Sequence, residues 1–497
     1  MTRGRYLYVL VFVVGAASLG AEIAVARLMA PFFGASTIVW ANTIAVVLVA
    51  LSVGYWLGGR LGDRHPQLRG LCLVVTAAAV LLAVVPFVAR PFFDVSVSAL
   101  DSVSAGAFVG SLIGVLALVA VPVILLGACS PYAIRLTIPD VEHSGRVAGR
   151  LYAISTAGSL AGTMLAALVL IPFAGTQRTF LVFALALALV AAAGLGIRFL
   201  AVPLALAALI AVPVGALKAA DEGRILYEGE SAVQYIRVVE EPDGDRVLEL
   251  NEGQAIHSLL RPGSYLTGGY WDRMLTMPFT VLTHAPRRVA ILGNAAGTTA
   301  RAHGRFFPRA EVDGVEIDPK LTEIGEHYFD MDSNPNLTVY NEDARPWLRQ
   351  SDGGYDVIVV DSYRQPYIPF YLTTREFFSL VSDRLAPGGI VVVNVGHPDG
   401  SDDLETVIGR TMAEAFPTVL RDPVDGTNTV LAGTHAPASA GHLRAAADAL
   451  PGPLQPLARR QAQVVGPRLP GGTVYTDDQA PVEWLVDRSI LGYAAGE

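Results

Sequence analysis

Val289-Ala-Ile-Leu-Gly293-Asn-Ala-Ala-Gly297-Thr-Thr-Ala300 is an apolar run that stops at a small-residue turn and re-enters a helix-forming segment. Small residues let a backbone approach a ligand, and a helix N-terminus offers free amide donors. Strand-to-helix turns of this kind are common, so the weight lies in what surrounds this one. Three more apolar runs follow, Glu311 to Asp318, Leu337 to Asp343 and Tyr355 to Asp361, each ending at an acid. Apolar strands alternating with helical segments predict a doubly wound, Rossmann-like α/β domain with its ligand at the carboxyl ends of the strands.

The acids have distinct places. Glu316 stands about 20 residues beyond the glycine turn, where an acid takes ribose hydroxyls. Asp343, in Asn341-Glu342-Asp343-Ala344, can accept from an adenine amino group or simply cap the helix that starts at Arg345. Asp361 ends the fourth strand and faces whatever lies above the sheet. One acid at a strand end is commonly a cap; three in succession point to a site. Upstream, the period-two stretch from Arg224 to Ser258 predicts an antiparallel meander turned at Pro242-Asp243-Gly244, followed by a helix from Tyr270 to Leu282.

The other half of the chain is of a different kind. Over 497 residues the composition is 52% hydrophobic, and before Ala219 charges are sparse while Ala, Val and Leu runs approach the roughly 20 residues that cross a bilayer. Seven spans are predicted: Tyr6 to Met29, Ile38 to Leu57, Leu71 to Ala89, Ala107 to Ala128, Leu151 to Phe173, Thr179 to Ile197 and Leu200 to Leu217. The expected domains are therefore 1–219, a polytopic membrane part; 220–285, the meander and helix; and 286–497, the Rossmann-like part. Basic residues concentrate on the N-terminal side of the spans, which puts that side in the cytoplasm. Seven crossings would then put the C-terminal domain outside, whereas a nucleoside-handling domain belongs in the cytoplasm. A crossing can be gained or lost at the short turn near Arg198 or in the segment broken by Pro122 and Pro131, and the cytoplasmic placement is preferred.

Within the first span Glu22 and Arg27 are ionisable groups at membrane depth, read as a functional pair, as a structural one that fixes helix packing, or with Arg27 snorkelling to an interface. Gly54, Gly58, Gly59, Gly158 and Gly162 read as close helix packing. The net charge of −9 argues against a nucleic-acid partner. Cys72 and Cys129, the two cysteines, lie in apolar stretches and suggest neither a disulfide framework nor a metal site. The implied partners are the bilayer and small molecules, and a homo-oligomer stays open.

On these residues the chain resembles the spermidine synthase family, the polyamine aminopropyltransferases, whose fold is shared with S-adenosylmethionine methyltransferases. The resemblance runs from Arg224 to Asp399 and includes the tail block Thr476-Asp-Asp-Gln-Ala-Pro-Val-Glu483. The N-terminal half looks like that of membrane-fused spermidine synthase-like proteins, in Gly20-Ala-Glu22 with Arg27, in Gly54-Tyr-Trp-Leu-Gly-Gly-Arg60-Leu-Gly-Asp63 and in Gly149-Arg-Leu-Tyr-Ala. It implies polyamine biosynthesis with decarboxylated S-adenosylmethionine, or S-adenosylmethionine, as co-substrate. Gln234 then matches the glutamine beside the nucleoside, Gly293 and Gly297 the turn, Glu316 the ribose acid, Asp343 with Ala344 the adenine contact, and Asp361 the general base. The sulfonium supplies the leaving group, so no metal is called for.

The departures concern the amine. The family's Gly-Gly-Gly-Asp-Gly turn reads Gly293-Asn-Ala-Ala-Gly297, which puts Ala296 where an acid helps hold a polyamine. Arg364 replaces the second acid of the Asp-x-x-Asp pair, and Tyr270-Trp271-Asp272 replaces Tyr-His-Glu. Losing acids and gaining a guanidinium disfavours a dication. Either Asp272, Glu252 or the Asp477-Asp478 pair compensates, or the acceptor differs, with Arg364 clamping an anionic one or bridging to Asp361. Besides the aminopropyltransferase reading two others stand: an S-adenosylmethionine-dependent methyltransferase, and a transporter or sensor whose nucleoside domain regulates the spans without catalysis.

Overall fold

The computed structural model describes residues 3–33, 37–101, 106–138, 144–211, 223–251, 255–363, 368–397 and 400–486. The chain divides into two compact units, one of Met1–Ala219 with Glu228–Tyr235 and one of Ala220–Tyr227 with Ile236–Glu497.

The first unit is helical: α1 (Arg3–Phe33), α2 (Thr37–Arg64), α3 (Leu68–Asp101), α4 (Gly106–Thr137), α5 (Ser144–Leu165), running through a π-turn into α6 (Ile171–Ala174), then α7 (Thr176–Leu195) and α8 (Ala201–Ala211). Among the described residues six of its helical segments are long and apolar enough to cross a membrane, and Ile197–Ala211 is a shorter apolar stretch. The seventh expected span, Leu200 to Leu217, is thus seen only as α8, its remainder lying outside the described residues. α4 passes through Pro122 and Pro131 without a break, so no crossing is lost there.

Small residues set how closely these helices approach. A Cβ on Gly158 would lie 2.1 Å from the Phe12 carbonyl of α1, and one on Gly58 2.2 Å from the Ala128 carbonyl of α4. Gly59 departs from the expected pattern, because it faces open space.

The rest of the chain forms two sheets, the first of which includes residues 228–230 and Tyr235 of the helical unit. A meander runs in the order β1 (Arg224–Glu230), β2 (Tyr235–Glu240), β3 (Arg246–Leu250) and β4 (Ile256–Leu260). After α9 (Tyr270–Thr276) come β5 (Arg288–Leu292), α10 (Thr298–Phe306), β6 (Glu311–Val315), α11 (Pro319–Tyr328), β7 (Leu337–Tyr340), α12 (Ala344–Gln350), β8 (Tyr355–Val360), α13 (Arg375–Arg384), β9 (Leu385–Gly396) and α14 (Asp403–Met412). The chain closes with β10 (Thr418–Pro423), β11 (Asn428–Thr434), α15 (Ala440–Ala446), α16 (Gln455–Val464) and the short β12 (Gly466–Pro467).

The main sheet has the order β12-β10-β11-β9-β8-β5-β6-β7. β5 pairs in parallel with both β6 and β8, so the chain direction of travel across the sheet reverses there. β10 and β11 extend it antiparallel, which makes a mixed sheet. Alternate residues face opposite sides: Val289, Ile291, Val357 and Val359 enter a core with α9, α10, α15 and α16. Ala290, Leu292, Ile358 and Val360 enter a second with α12, α13 and α14. Burial on both faces is why these strands read as unbroken apolar runs.

Candidate active site

The crevice of an open α/β sheet lies where strand order reverses, here between the carboxyl ends of β5 and β8. The turn after β5 meets the end of β8 there. Gly293 has φ +92°, and a Cβ on it would come 2.3 Å from the Asp361 carbonyl, so only glycine fits. Gly297 at φ +88° is pressed against Met331 in the same way. Between them Ala295 is held at φ 44°, a left-handed conformation that an alanine adopts at a cost.

Ala295 is held there by the next strand. Its amide donates to Glu316 Oε2 at 2.8 Å, and the Asp318 amide donates to Oε1 at 3.0 Å. Burial pushes the Glu316 carboxyl up to about 7, against the pull of these backbone donors. From the meander Ser258 accepts the Ala296 amide at 3.0 Å, and Thr298 Oγ1 accepts the Leu259 amide at 2.9 Å, so β4 fixes the turn from below.

Asp343 caps α12 through the Arg345 amide at 3.0 Å and accepts the Tyr371 hydroxyl at 2.7 Å, with Ala344 buried beside it. The helix-cap reading of Asp343 is therefore realised, with its second oxygen turned to a side chain. Arg345 in turn holds Asp477 bidentately at 2.7 and 2.6 Å, and Thr374 donates to the same carboxylate at 2.7 Å. The tail block is stitched to the adenine side of the expected site, and Asp477 is engaged there.

Asp361 is half-buried, and its carboxyl is enclosed by neutral donors. Asn394 Nδ2 on β9 donates to Oδ1 at 2.9 Å, while the Tyr270 hydroxyl and the Trp271 side chain on α9 also hydrogen-bond the carboxyl. Desolvation pushes it up to about 6, with all three donors pulling down. Tyr270, stacked on Trp271 with ring centroids 4.3 Å apart, is driven well above its ordinary value by burial and by the Asp361 charge. Asn394 is oriented by Asn428 Nδ2, which donates to its Oδ1 at 2.9 Å from β11. Sequence reading missed Asn394, although it is the one polar residue in the apolar run Ile390 to Val395.

Asp272 turns away from this cluster. Buried, it accepts the Thr267 and Gly268 amides at 2.9 and 2.8 Å and ties the loop before α9. Ala296 is fully buried among Ile236, Val238 and Leu321. Arg364 and Glu252 lie outside the described residues.

Gln234 stands at the foot of β2, in the segment that belongs to the helical unit, with its backbone bonded to Ser231. In the same unit Glu230 accepts the Thr176 amide at 3.1 Å and its hydroxyl at 2.6 Å, and Arg27 donates to the Ala232 carbonyl. Desolvation raises the Glu230 carboxyl. Glu22 is half-buried on α1.

Fold and crevice define a doubly wound α/β domain with acids at successive strand ends. A spermine/spermidine synthase domain matches residues 270–424. A probable polyamine aminopropyl transferase of Bifidobacterium longum is 32% identical over 298 residues, 56% of this chain and 65% of the relative. The chain thus spans just under two thirds of that relative. Polyamine aminopropyltransferase 2 of Ralstonia nicotianae is 25% identical over 84% of this chain and 83% of its own. A crystal structure of a probable spermidine synthase from Corynebacterium glutamicum aligns with TM-score 0.42 and 21% identity, covering 53% of this chain and 99% of that one. Over residues 270–424 the chain is thus similar to the spermine/spermidine synthases.

Proposed function

We propose that the chain is a membrane-bound transferase of the polyamine aminopropyltransferase type, moving an aminopropyl group from decarboxylated S-adenosylmethionine to an amine with Asp361 as general base. The observation that carries this is the enclosed Asp361 carboxyl at the crevice, with its proton affinity raised to about 6. Such a base is largely ionised at neutral pH and still basic enough to take a proton from an attacking amine. The amine nitrogen attacks the sulfonium-bound methylene. The new C–N bond forms as the C–S bond breaks, the electron pair stays on sulfur as a neutral thioether, and the nitrogen's proton goes to Asp361.

Glu316 is suited to the ribose hydroxyls, the Gly293–Gly297 turn to close backbone approach, and Asp343 with Ala344 to the adenine. Gln234 is proposed to bind the nucleoside as well. The six candidate spans among the described residues, an even number, would return the chain to the side of its basic N-terminus, which supports a cytoplasmic α/β domain in a multi-pass cell-membrane protein.

Calorimetric titration of the purified full chain with methylthioadenosine, followed by mass analysis of products from an amine panel, tests the reading. Aminopropyl products that vanish with Asp361→Asn are expected. Methylated products would make it a methyltransferase. Nucleoside binding without turnover, unchanged by Asp361→Asn, would favour the sensor or transporter reading and sink the enzyme one. Reporter fusions after Lys218 test the side of the membrane.

A further inference from the structure

We propose that Asn428 is a positioning residue for the Asp361 carboxyl: by donating to Asn394 it fixes which end of the Asn394 amide faces Asp361. The consequence for turnover rests on the general-base reading above; the orientation of the amide does not.

A primary amide has a donor end and an acceptor end of nearly equal size, so its partners, not packing alone, decide which way round it sits. Asn394 Nδ2 donates to Asp361 Oδ1 at 2.9 Å, and its own Oδ1 accepts Asn428 Nδ2 at 2.9 Å. The two bonds point the same way, from β11 through β9 to the end of β8. An ionised carboxylate can only accept, so this is the sense that an anionic Asp361 requires. Turned over, the buried Asn394 amide would set an oxygen against Asp361 and a donor against the donor of Asn428.

The frame around the two amides is held by bonds of its own. The antiparallel register of β9 and β11 sets Asn428 opposite Gly396 and Asn394 opposite Val430. The Tyr363 hydroxyl donates to the Asn394 carbonyl at 3.1 Å and accepts the Gly396 amide. Asp425 Oδ1 accepts the amides of Thr427 and Asn428, each at 2.8 Å, a turn of the Asx kind that fixes the start of β11. The His397 amide donates to the Thr427 carbonyl at 2.8 Å.

Among the described residues, the groups that act on Asp361 are Tyr270 and Trp271 from α9, Asn394 from β9 and Tyr363 from the segment after β8. Asp425 and His397 are the titratable groups bonded to the strand around Asn428. An indole N–H cannot reverse its role, whereas the Asn394 amide can. Asn428→Asp keeps the shape and replaces the donor with a second acceptor. The Asn394 amide would then turn Nδ2 to the new carboxylate and Oδ1 to Asp361, which removes a donor from Asp361, adds a repelling oxygen and raises its proton affinity.

The test follows the Asp361 carboxyl itself. In the purified full chain its infrared C=O band, identified by its loss in Asp361→Asn, is titrated with pH, and the kcat profile for aminopropyl transfer is measured beside it. Asn428→Asp should move both midpoints up by about one to two pH units, and Asn428→Ala by about half a unit. In an Asn394→Ala background, Asn428→Asp should add little further shift, because the effect passes through that amide. A full shift persisting in that background would mean that the new charge acts on Asp361 directly, and overturns the inference. Unmoved midpoints, or a larger shift from Asn428→Ala than from Asn428→Asp, would make Asn428 structural only and overturn it as well. Should Asn428→Asp not fold, Asn428→Ala decides alone, an upward shift supporting the inference and an unmoved midpoint overturning it. A shifted infrared midpoint without aminopropyl transfer supports the inference and removes only the transferase reading.

Discussion

The two sides of the crevice hold their carboxylates by different means. On the β5–β7 side, backbone donors lead: Glu316 is fixed by the amides of Ala295 and Asp318, and Asp343 by the amide of Arg345 with the Tyr371 hydroxyl as its one side-chain donor. On the β8 side, Asp361 is fixed by the side chains of Asn394, Tyr270 and Trp271, brought from β9 and α9. Backbone donors come with the fold and survive substitution. Side-chain donors can be exchanged one at a time, so under the proposed function the β8 side is where chemistry and acceptor choice could be retuned while the proposed nucleoside side stays put.

That contrast is broken most severely at Asp361, the proposed base. Asp361→Asn should lower kcat by about 10²–10⁴, the usual contribution of a general base, while calorimetry shows methylthioadenosine affinity unchanged. A comparable loss of affinity would mean that Asp361 belongs to the nucleoside side.

Next in size is Glu316. Burial favours its protonated form up to about 7, and accepting ribose hydroxyls requires the ionised one. Methylthioadenosine affinity should therefore rise up to about tenfold per unit as pH climbs towards 7 and flatten above it. Glu316→Gln should weaken binding by about 10–100-fold and abolish the slope. The opposite sign governs stability without ligand. Because the folded values of Glu316 and Asp361 lie above 4.5 and 3.8, their contribution is complete below those unfolded values. It is lost as pH rises through about 7 and 6 respectively. Denaturant melts between pH 4 and 8 should show that decline, and added methylthioadenosine should lessen it.

A smaller effect sharpens the β8 side. Trp271→Phe and Asn394→Ala each remove a donor that lowers Asp361, so the acidic limb of the kcat profile should move to higher pH, by up to about one unit. Nucleoside affinity should stay constant. A kcat loss with an unmoved limb would make these residues structural only. The smallest effect is on the other side: Ala295→Gly relieves the left-handed alanine and should stabilise the protein by about 0.5–1 kcal/mol in urea titrations.

The parts of this arrangement that could be read in the sequence are local ones. An apolar run closing on an acid states both the strand and the position of Glu316 or Asp361, because both lie within a few residues. What a side chain turns towards is set by packing and does not show. Asp272 and Asp477 had the right charge to replace the missing acids, yet one ties its own loop and the other meets Arg345, 132 residues away in the chain. Asn394 reaches Asp361 only through the parallel register of β8 and β9, in which Val360 faces Val393. The antiparallel extension β10–β12 left no mark as plain as the acid-terminated runs. Gly59 shared its neighbours' pattern but, unlike them, faces open space.

The hydrogen bond from Asn428 to Asn394 gives that extension a bearing on the chemistry. β11 lies two strands from β8 and would pass for replaceable scaffold in any attempt to graft this domain or shorten it to its parallel strands. Cutting it away would release the amide that steadies the Asp361 carboxyl, and the graft would keep its shape while the proposed proton acceptor drifted. The smallest transplantable module that keeps the proposed base in place therefore reaches at least to Thr434.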